Sequence, residues 1–231
     1  MYECLTMVKK GRHSGLLLIT DDDKAVILQA NKSYSEHVNK NLKYNKHIPF
    51  VEKLSIPRGR QDVGELDYET AVREFIEETG LIFDKISLYR EPFLLEWQDD
   101  EKTFRYSMYV AFLKGSLNSL RKKPNSYNIR LYRNLNNMEY EVDLSRQRHH
   151  TNELIRRLDI MSLKKYITYM ENRQLPTYKY SNYSKFFDFV YKVKSMYNSQ
   201  QCDAVLDNFI VLILYWCVDS EVFSTRFLYY V

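Results

Sequence analysis

Two short apolar runs set the pattern near the start of the chain. Residues 14–20 read SGLLLIT and residues 25–30 read AVILQA, with the acidic turn Asp21-Asp22-Asp23 between them. Apolar runs of this length, broken by turn residues, predict a strand pair. Residues 31–50 then become polar, rich in Asn, Lys and Tyr, and read as an inserted loop or short helix where substrate specificity can reside. Further strands are predicted at 86–97 and 104–113, the second closed by the turn Lys114-Gly115, and at 129–132 and 152–159. Arg121-Lys122-Lys123-Pro124 reads as a basic turn and residues 162–172 as a helix. Past Gln174 aromatic residues crowd in, and Tyr183, Phe186, Phe187, Val190, Val193 and Tyr197 recur at helical spacing. That stripe predicts a core-facing helix rather than a base-stacking platform. Residues 174–231 therefore read as a mainly helical extension, joined near Pro176 and packed on a domain of residues 1–173. The run FIVLILYWCV at 209–218 is about half of the roughly twenty residues a bilayer helix needs, and reads as a buried helix or strand.

Between these elements lies residues 59–81, GRQDVGELDYETAVREFIEETGL. Asp67 is placed to cap a helix over 68–79, with Glu69 in its first turn and Gly80 at its end. Ala71, Val72, Phe75 and Ile76 supply a buried face. Glu74, Glu77 and Glu78 stand at i, i+3 and i+4, so three carboxylates share the other face. They repel one another unless a cation compensates them. Hard oxygen ligands at this spacing suit magnesium or manganese, two or more ions, shared with substrate phosphates. Arg73 can reach Glu77 at i+4 and fix its rotamer. A lone E-x-x-E-E is an ordinary solvated helix face; the flanking Gly59, Glu65, Arg73 and Gly80 turn the reading toward a metal site.

Composition sets bounds without choosing a chemistry. The 231 residues, 45% hydrophobic, suffice for one well-filled core or for a domain with an appendage. A net charge of +4 tolerates a polyanionic partner but does not require one. Cys4, Cys202 and Cys217 are too few and scattered for a disulfide framework or zinc site, which points to a reducing compartment. The opening MYECLTMVKKGRHSG carries no long apolar stretch, so neither a signal peptide nor a membrane partner is expected. There are no internal repeats and no low-complexity tract.

Residues 59–81 match the Nudix box position for position: Gly, five free, Glu, seven free, Arg-Glu, apolar, one free, Glu-Glu, one free, Gly, apolar. The chain thus resembles the Nudix hydrolases over at least residues 14–171. The resemblance implies an α/β fold, an α/β/α sandwich with a mixed sheet, and hydrolysis of a nucleoside diphosphate linked to another group. It implies metal ligation by Glu74, Glu77, Glu78 and Gly59, with one glutamate able to act as base, orientation by Arg73, and structural roles for Glu65 and Gly80. Phe75 departs from the aliphatic residue usual there. The lead-in Ile56-Pro57-Arg58-Gly59-Arg60 resembles that of decapping and dinucleoside polyphosphate members, which would set Arg58 and Arg60 against phosphates at the mouth of the site. Residues 152–158 resemble the late strand of viral decapping members, making Glu153 a candidate fourth acidic residue.

The chain as a whole resembles Nudix proteins of baculovirus-type DNA viruses labelled ADP-ribose pyrophosphatase. The proline associated with ADP-ribose members is displaced, however, Pro92 lying eleven residues past Leu81. The leading expectation is therefore cleavage of an mRNA cap to 7-methyl-GDP and 5′-monophosphate RNA in the cytoplasm of an infected host cell. The alternatives are ADP-ribose hydrolysis and, last, an inactive binding module. Arg146, Arg148, His149, His150, Arg156, Arg157, Lys164 and Lys165 read first as solvated surface and second as RNA contacts. Tyr34, Tyr44 and Phe50 are candidates for stacking on a methylated guanine, and His13, His37 and His47 read as surface or loop residues. The sequence names no partner protein.

Overall fold

The computed structural model describes residues 12–30, 54–99, 102–134, 138–147, 156–200 and 208–216. Its strands are β1 (His13–Ile19), β2 (Lys24–Ala30), β3 (Leu54–Ser55), β4 (Arg58–Arg60), β5 (Leu81–Phe83), β6 (Lys85–Tyr89) and β7 (Phe93–Asp99). They continue as β8 (Lys102–Leu113), β9 (Leu117–Ser119), β10 (Tyr127–Arg133), β11 (Glu139–Gln147), β12 (Arg156–Ser162), β13 (Tyr180–Ser181) and β14 (Phe209–Trp216). The α-helices are α1 (Asp67–Thr79), α2 (Leu163–Tyr169) and α3 (Tyr183–Gln200).

The apolar runs at the start become the middle of a mixed sheet ordered β10-β11-β14-β6-β8-β1-β2-β12. β1 pairs antiparallel with β2 and parallel with β8, Leu16 standing opposite Tyr109. A strand whose side chains alternate between two covered faces can be apolar at every position, which is why SGLLLI shows no polar alternation. Leu16 and Leu18 join one core with Ala71, Val72, Phe75 and Ile76 of α1. Leu17 and Ile19 join a second with Leu163, Tyr166 and Ile167 of α2 and Phe186, Val190 and Val193 of α3. Helices thus cover both faces of the sheet, as the sandwich expectation requires. The aromatic stripe of α3 is core throughout, Tyr183, Phe186, Phe187 and Tyr197 all being buried.

Several expected elements are corrected. Residues 86–97 form two strands, because the chain turns through Arg90, Glu91 and Pro92, a residue with no N–H to donate to a ladder. The predicted helix at 162–172 divides into α2, capped by Ser162 accepting from the Lys165 amide at 3.2 Å, and a wider π-helical turn at Met170–Gln174. β11 had no counterpart among the predicted strands.

Residues after Gln174, expected as a mainly helical extension, also supply a strand inside the sheet. β14 lies between β6, antiparallel, and β11, parallel. Its Leu212 and Leu214 are buried and its Val211 and Tyr215 exposed, a two-residue period that seats it in a sheet. Such a strand belongs to the cooperative core. Leu212→Ala is accordingly expected to cost about 2–5 kcal/mol, comparable to Leu88→Ala in the adjoining β6, with one urea transition in each case. A separate transition or a cost near zero for Leu212→Ala would contradict this placement.

Candidate active site

α1 starts one residue earlier than the sequence reading has it. Asp67 is its first residue rather than its cap; Leu66 precedes the helix, and its amide donates to Glu69 Oε2 at 2.8 Å. Asp67 instead accepts from Gln61 Nε2 at 3.2 Å. Gly80 ends the helix in the left-handed region, φ 68°, where a Cβ is strained, and its amide returns to the Ile76 carbonyl.

Arg73 is the centre of the acidic cluster. Its side chain is 5% exposed, and its Nε donates to Glu65 Oε1 at 2.7 Å. Nη1 donates to Glu74 Oε1 at 2.8 Å and Glu77 Oε2 at 3.2 Å, while Nη2 donates to the Arg60 carbonyl at 2.8 Å and Glu65 Oε2 at 3.2 Å. The planar guanidinium therefore fixes the box loop, β4 and two helix carboxylates together. Glu65 accepts further from the Asp62 amide at 3.0 Å and Thr70 Oγ1 at 2.8 Å. Burial by itself pushes the Glu65 carboxyl up, but these bonds, led by Arg73, hold it below the usual range.

The three helix glutamates are gripped differently. Glu77, 2% exposed, accepts from the Ile129 amide at 2.6 Å through Oε1 and from Arg73 through Oε2. Glu78 accepts from the Arg58 amide through Oε2 at 2.9 Å and from Arg156 Nη1 through Oε1 at 2.7 Å. Glu74 is packed against Gly59 of β4, where a Cβ would stand 2.0 Å from its carboxyl carbon and push that carboxyl aside. Burial pushes the Glu74 carboxyl up to about 7, Arg73 opposing the shift and the negative charges of Glu77 and Glu78 adding to it.

Gly59, Arg60, Asp62, Glu74, Asn128 and Arg130 are among the residues lining an open cleft of about 520 Å³. Arg60 is among these lining residues. Arg58, expected beside it, is not. Adjacent residues of β4 face opposite ways, so with Gly59 turned to Glu74 the Arg58 side chain points through to the second core. Its guanidinium lies 4.6 Å from the Trp97 ring centroid and 4.8 Å from that of Tyr106. Burial lowers the Arg58 pKa, yet Tyr183, Tyr106, Tyr178 and Glu78 together hold it above its ordinary value. Arg58 consequently serves the cleft through its backbone amide, and its charge is spent on aromatic faces.

The lining residues Asn128 and Arg130 and the Arg156–Glu78 pair escaped the sequence reading. Nothing local to β10 or β12 announces that these strands meet α1; Arg156 appeared only as one basic residue in a run. His13 is on β1, its ring edge-on to Tyr106. Glu153, Arg148, His149, His150, Tyr34, Tyr44, Phe50, His37 and His47 lie outside the described residues. Among those described, no three carboxylate, histidine or cysteine groups converge on one ion as they stand.

The raised Glu74 carboxyl has a consequence for stability. In the folded, ion-free protein it stays protonated up to about 7, whereas the unfolded chain releases that proton near the ordinary glutamate value. The folded state binds more protons in between, so this group's contribution falls as pH rises through that window, by up to about 3 kcal/mol. Urea unfolding with chelator at about pH 4.5 and about pH 7.5 should give a wild-type loss that Glu74→Gln lacks. Equal pH dependence in the two proteins would refute it.

The NUDIX domain family matches residues 9–133, more than half of the chain. "Protein ADP-ribose pyrophosphatase ORF38" of Autographa californica nuclear polyhedrosis virus is 42% identical over 189 residues, 81% of this chain and 86% of that one. The "Uncharacterized 24.3 kDa protein" of Orgyia pseudotsugata multicapsid polyhedrosis virus is 41% identical over the same shares. A solved NUDIX hydrolase from Nitrosomonas europaea covers 71% of this chain and 80% of its own at 12% identity, with a TM-score of 0.36. Among the described residues no helix is long and apolar enough to cross a membrane. With its box complete and more than half its length within the family's domain, the chain belongs to the Nudix hydrolases, enzymes that act on phosphorus anhydrides.

Proposed function

We propose that this chain is a divalent-metal-dependent pyrophosphohydrolase of nucleoside diphosphates linked to a second group, with ADP-ribose as its reference substrate. The observation that carries the reading is the convergence of Glu74, Glu77 and Arg73 on one open cleft, with Arg60 and Arg130 lining the same space. The name of the 42% identical viral relative supports ADP-ribose over the capped RNA that the lead-in to the box first suggests. Arg58, whose guanidinium lies among aromatic rings, no longer supports a phosphate contact in that lead-in.

The donor set fits a magnesium or manganese ion: hard carboxylate oxygens of Glu74 and Glu78 beside the Gly59 backbone, in a buried cluster rich in negative charge. Bound there, such an ion would neutralise pyrophosphate oxygens and lower the pKa of a coordinated water. Glu77, held on both oxygens by Ile129 and Arg73, braces the cluster. Glu74 receives Arg73 on Oε1, and we assign it the attacking water's proton. Arg60, Arg130 and Asn128 line the space that the substrate's phosphates and ribose would fill, and cationic groups there compensate the leaving phosphate. Cap hydrolysis is the second reading, favoured by the same arginines, since a cleft open to solvent also admits a longer phosphate chain.

The two are separated by kcat/KM on ADP-ribose and on cap-labelled RNA with magnesium or manganese. We expect AMP and ribose 5-phosphate to form with the higher efficiency, and Glu78→Gln to lower it about 100-fold or more while remaining folded. Preferential release of 7-methyl-GDP would reverse the order of the readings. Failure to cleave either substrate would remove the enzymatic reading.

A further inference from the structure

Two of the donors that hold Glu78 differ in kind. On Oε2 sits the main-chain amide of Arg58, held within β4, with the side chain of the same residue lying against the rings of Trp97 and Tyr106. On Oε1 sits the guanidinium of Arg156, at 2.7 Å. Arg156 is the first described residue of β12, opposite Ala30 at the end of β2, and its side chain is 27% exposed, against 13% for Glu78. Among the described residues its one ion pair is with Glu78.

Arg73 makes the contrast. It is 5% exposed and tied to Glu65, Glu74, Glu77 and the Arg60 carbonyl, so it cannot withdraw without dismantling the box. Arg156 carries its guanidinium on a long side chain that is 27% exposed, and can swing away at the cost of one charged hydrogen bond. Two cations on one carboxylate oxygen repel each other in a partly buried site. A divalent ion on Glu78 Oε1 therefore competes with this guanidinium, and in the described geometry no three acidic groups converge on one ion.

We propose that Arg156 is a displaceable counter-ion: it neutralises Glu78 in the ion-free enzyme, yields Oε1 to the divalent cation, and turns its freed guanidinium to the phosphates of the incoming substrate. The proposal rests on the reading of Glu78 as a metal ligand. It gives a residue of β12 two successive partners, a carboxylate and then a phosphate, both of which match the planar guanidinium fork.

The test is manganese binding without substrate, followed by titration calorimetry or by the electron paramagnetic resonance of free Mn²⁺, in wild type, Arg156→Met and Arg156→Lys. Arg156→Met is expected to bind Mn²⁺ about tenfold more tightly, the equivalent of one charged hydrogen bond no longer displaced, with Arg156→Lys between. At saturating Mn²⁺ the same Met variant should show a KM for ADP-ribose raised about tenfold and a kcat changed far less. Unchanged or weaker Mn²⁺ affinity in Arg156→Met would overturn the proposal, weaker binding marking Arg156 as a brace for Glu78. If Arg156→Met does not fold, Arg156→Gln, which keeps a donor without the charge, carries the same expectation. Absence of Mn²⁺ binding in the folded wild type would overturn the metal-ligand reading itself, and this inference with it.

Discussion

A single buried guanidinium organises this molecule: Arg73 touches the loop before α1, the strand β4 beside it and two carboxylates of the helix itself. An acidic cluster so poorly hydrated would repel itself apart without that charge, since burial and like charges both disfavour ionised carboxylates. Glu65 returns the favour by holding Arg73 in place through two hydrogen bonds, and is itself steadied by Thr70 and the Asp62 amide. The four apolar residues on the far side of α1 then fasten this assembly to the sheet, each fully buried and worth on the order of 1–3 kcal/mol for the larger ones.

The precision of the cleft also depends on packing beneath it. β4 is a three-residue strand whose middle glycine meets Glu74 while the preceding arginine reaches the opposite face. There Trp97, Tyr106, Tyr178 and Tyr183 form an aromatic cluster continuous with α3. The Arg58 amide that orients Glu78 is thus positioned by rings from β7, β8 and the C-terminal third of the chain. α3 is consequently part of what shapes the site, although none of its side chains lines the cleft. The strand β14, wedged between β6 and β11, ties the same region into the sheet from the other side.

How much of this was legible in the sequence follows from the range of each interaction. Helix α1, its terminating Gly80, its buried face and the Arg73–Glu77 contact are set by spacings of a few residues, and the chain displays them directly. The buried stripe of α3 has the same local origin. The direction of Arg58 depends on which face of a very short strand Gly59 occupies, a one-residue parity that no periodicity reports. The pairing of Arg156 with Glu78 joins residues 78 positions apart, and the Ile129 amide reaches Glu77 across 52. Long-range pairings of this kind leave no trace in composition. The run at 209–218 could be read as helix or strand because a short apolar stretch fits either until its neighbours are known.

The central claim is that Arg73 and Glu65 act as one unit that holds the helix carboxylates in register. It is tested most directly by a double-mutant cycle, in which urea unfolding is measured for wild type, Arg73→Met, Glu65→Gln and the double variant with chelator present. Arg73→Met should cost about 3–5 kcal/mol, because it strands buried carboxylates, Glu65→Gln less, because Arg73 keeps Glu74 and Glu77, and the double variant should cost at least about 1 kcal/mol less than their sum. Strict additivity would mean that the two residues stabilise the site independently and would contradict the account.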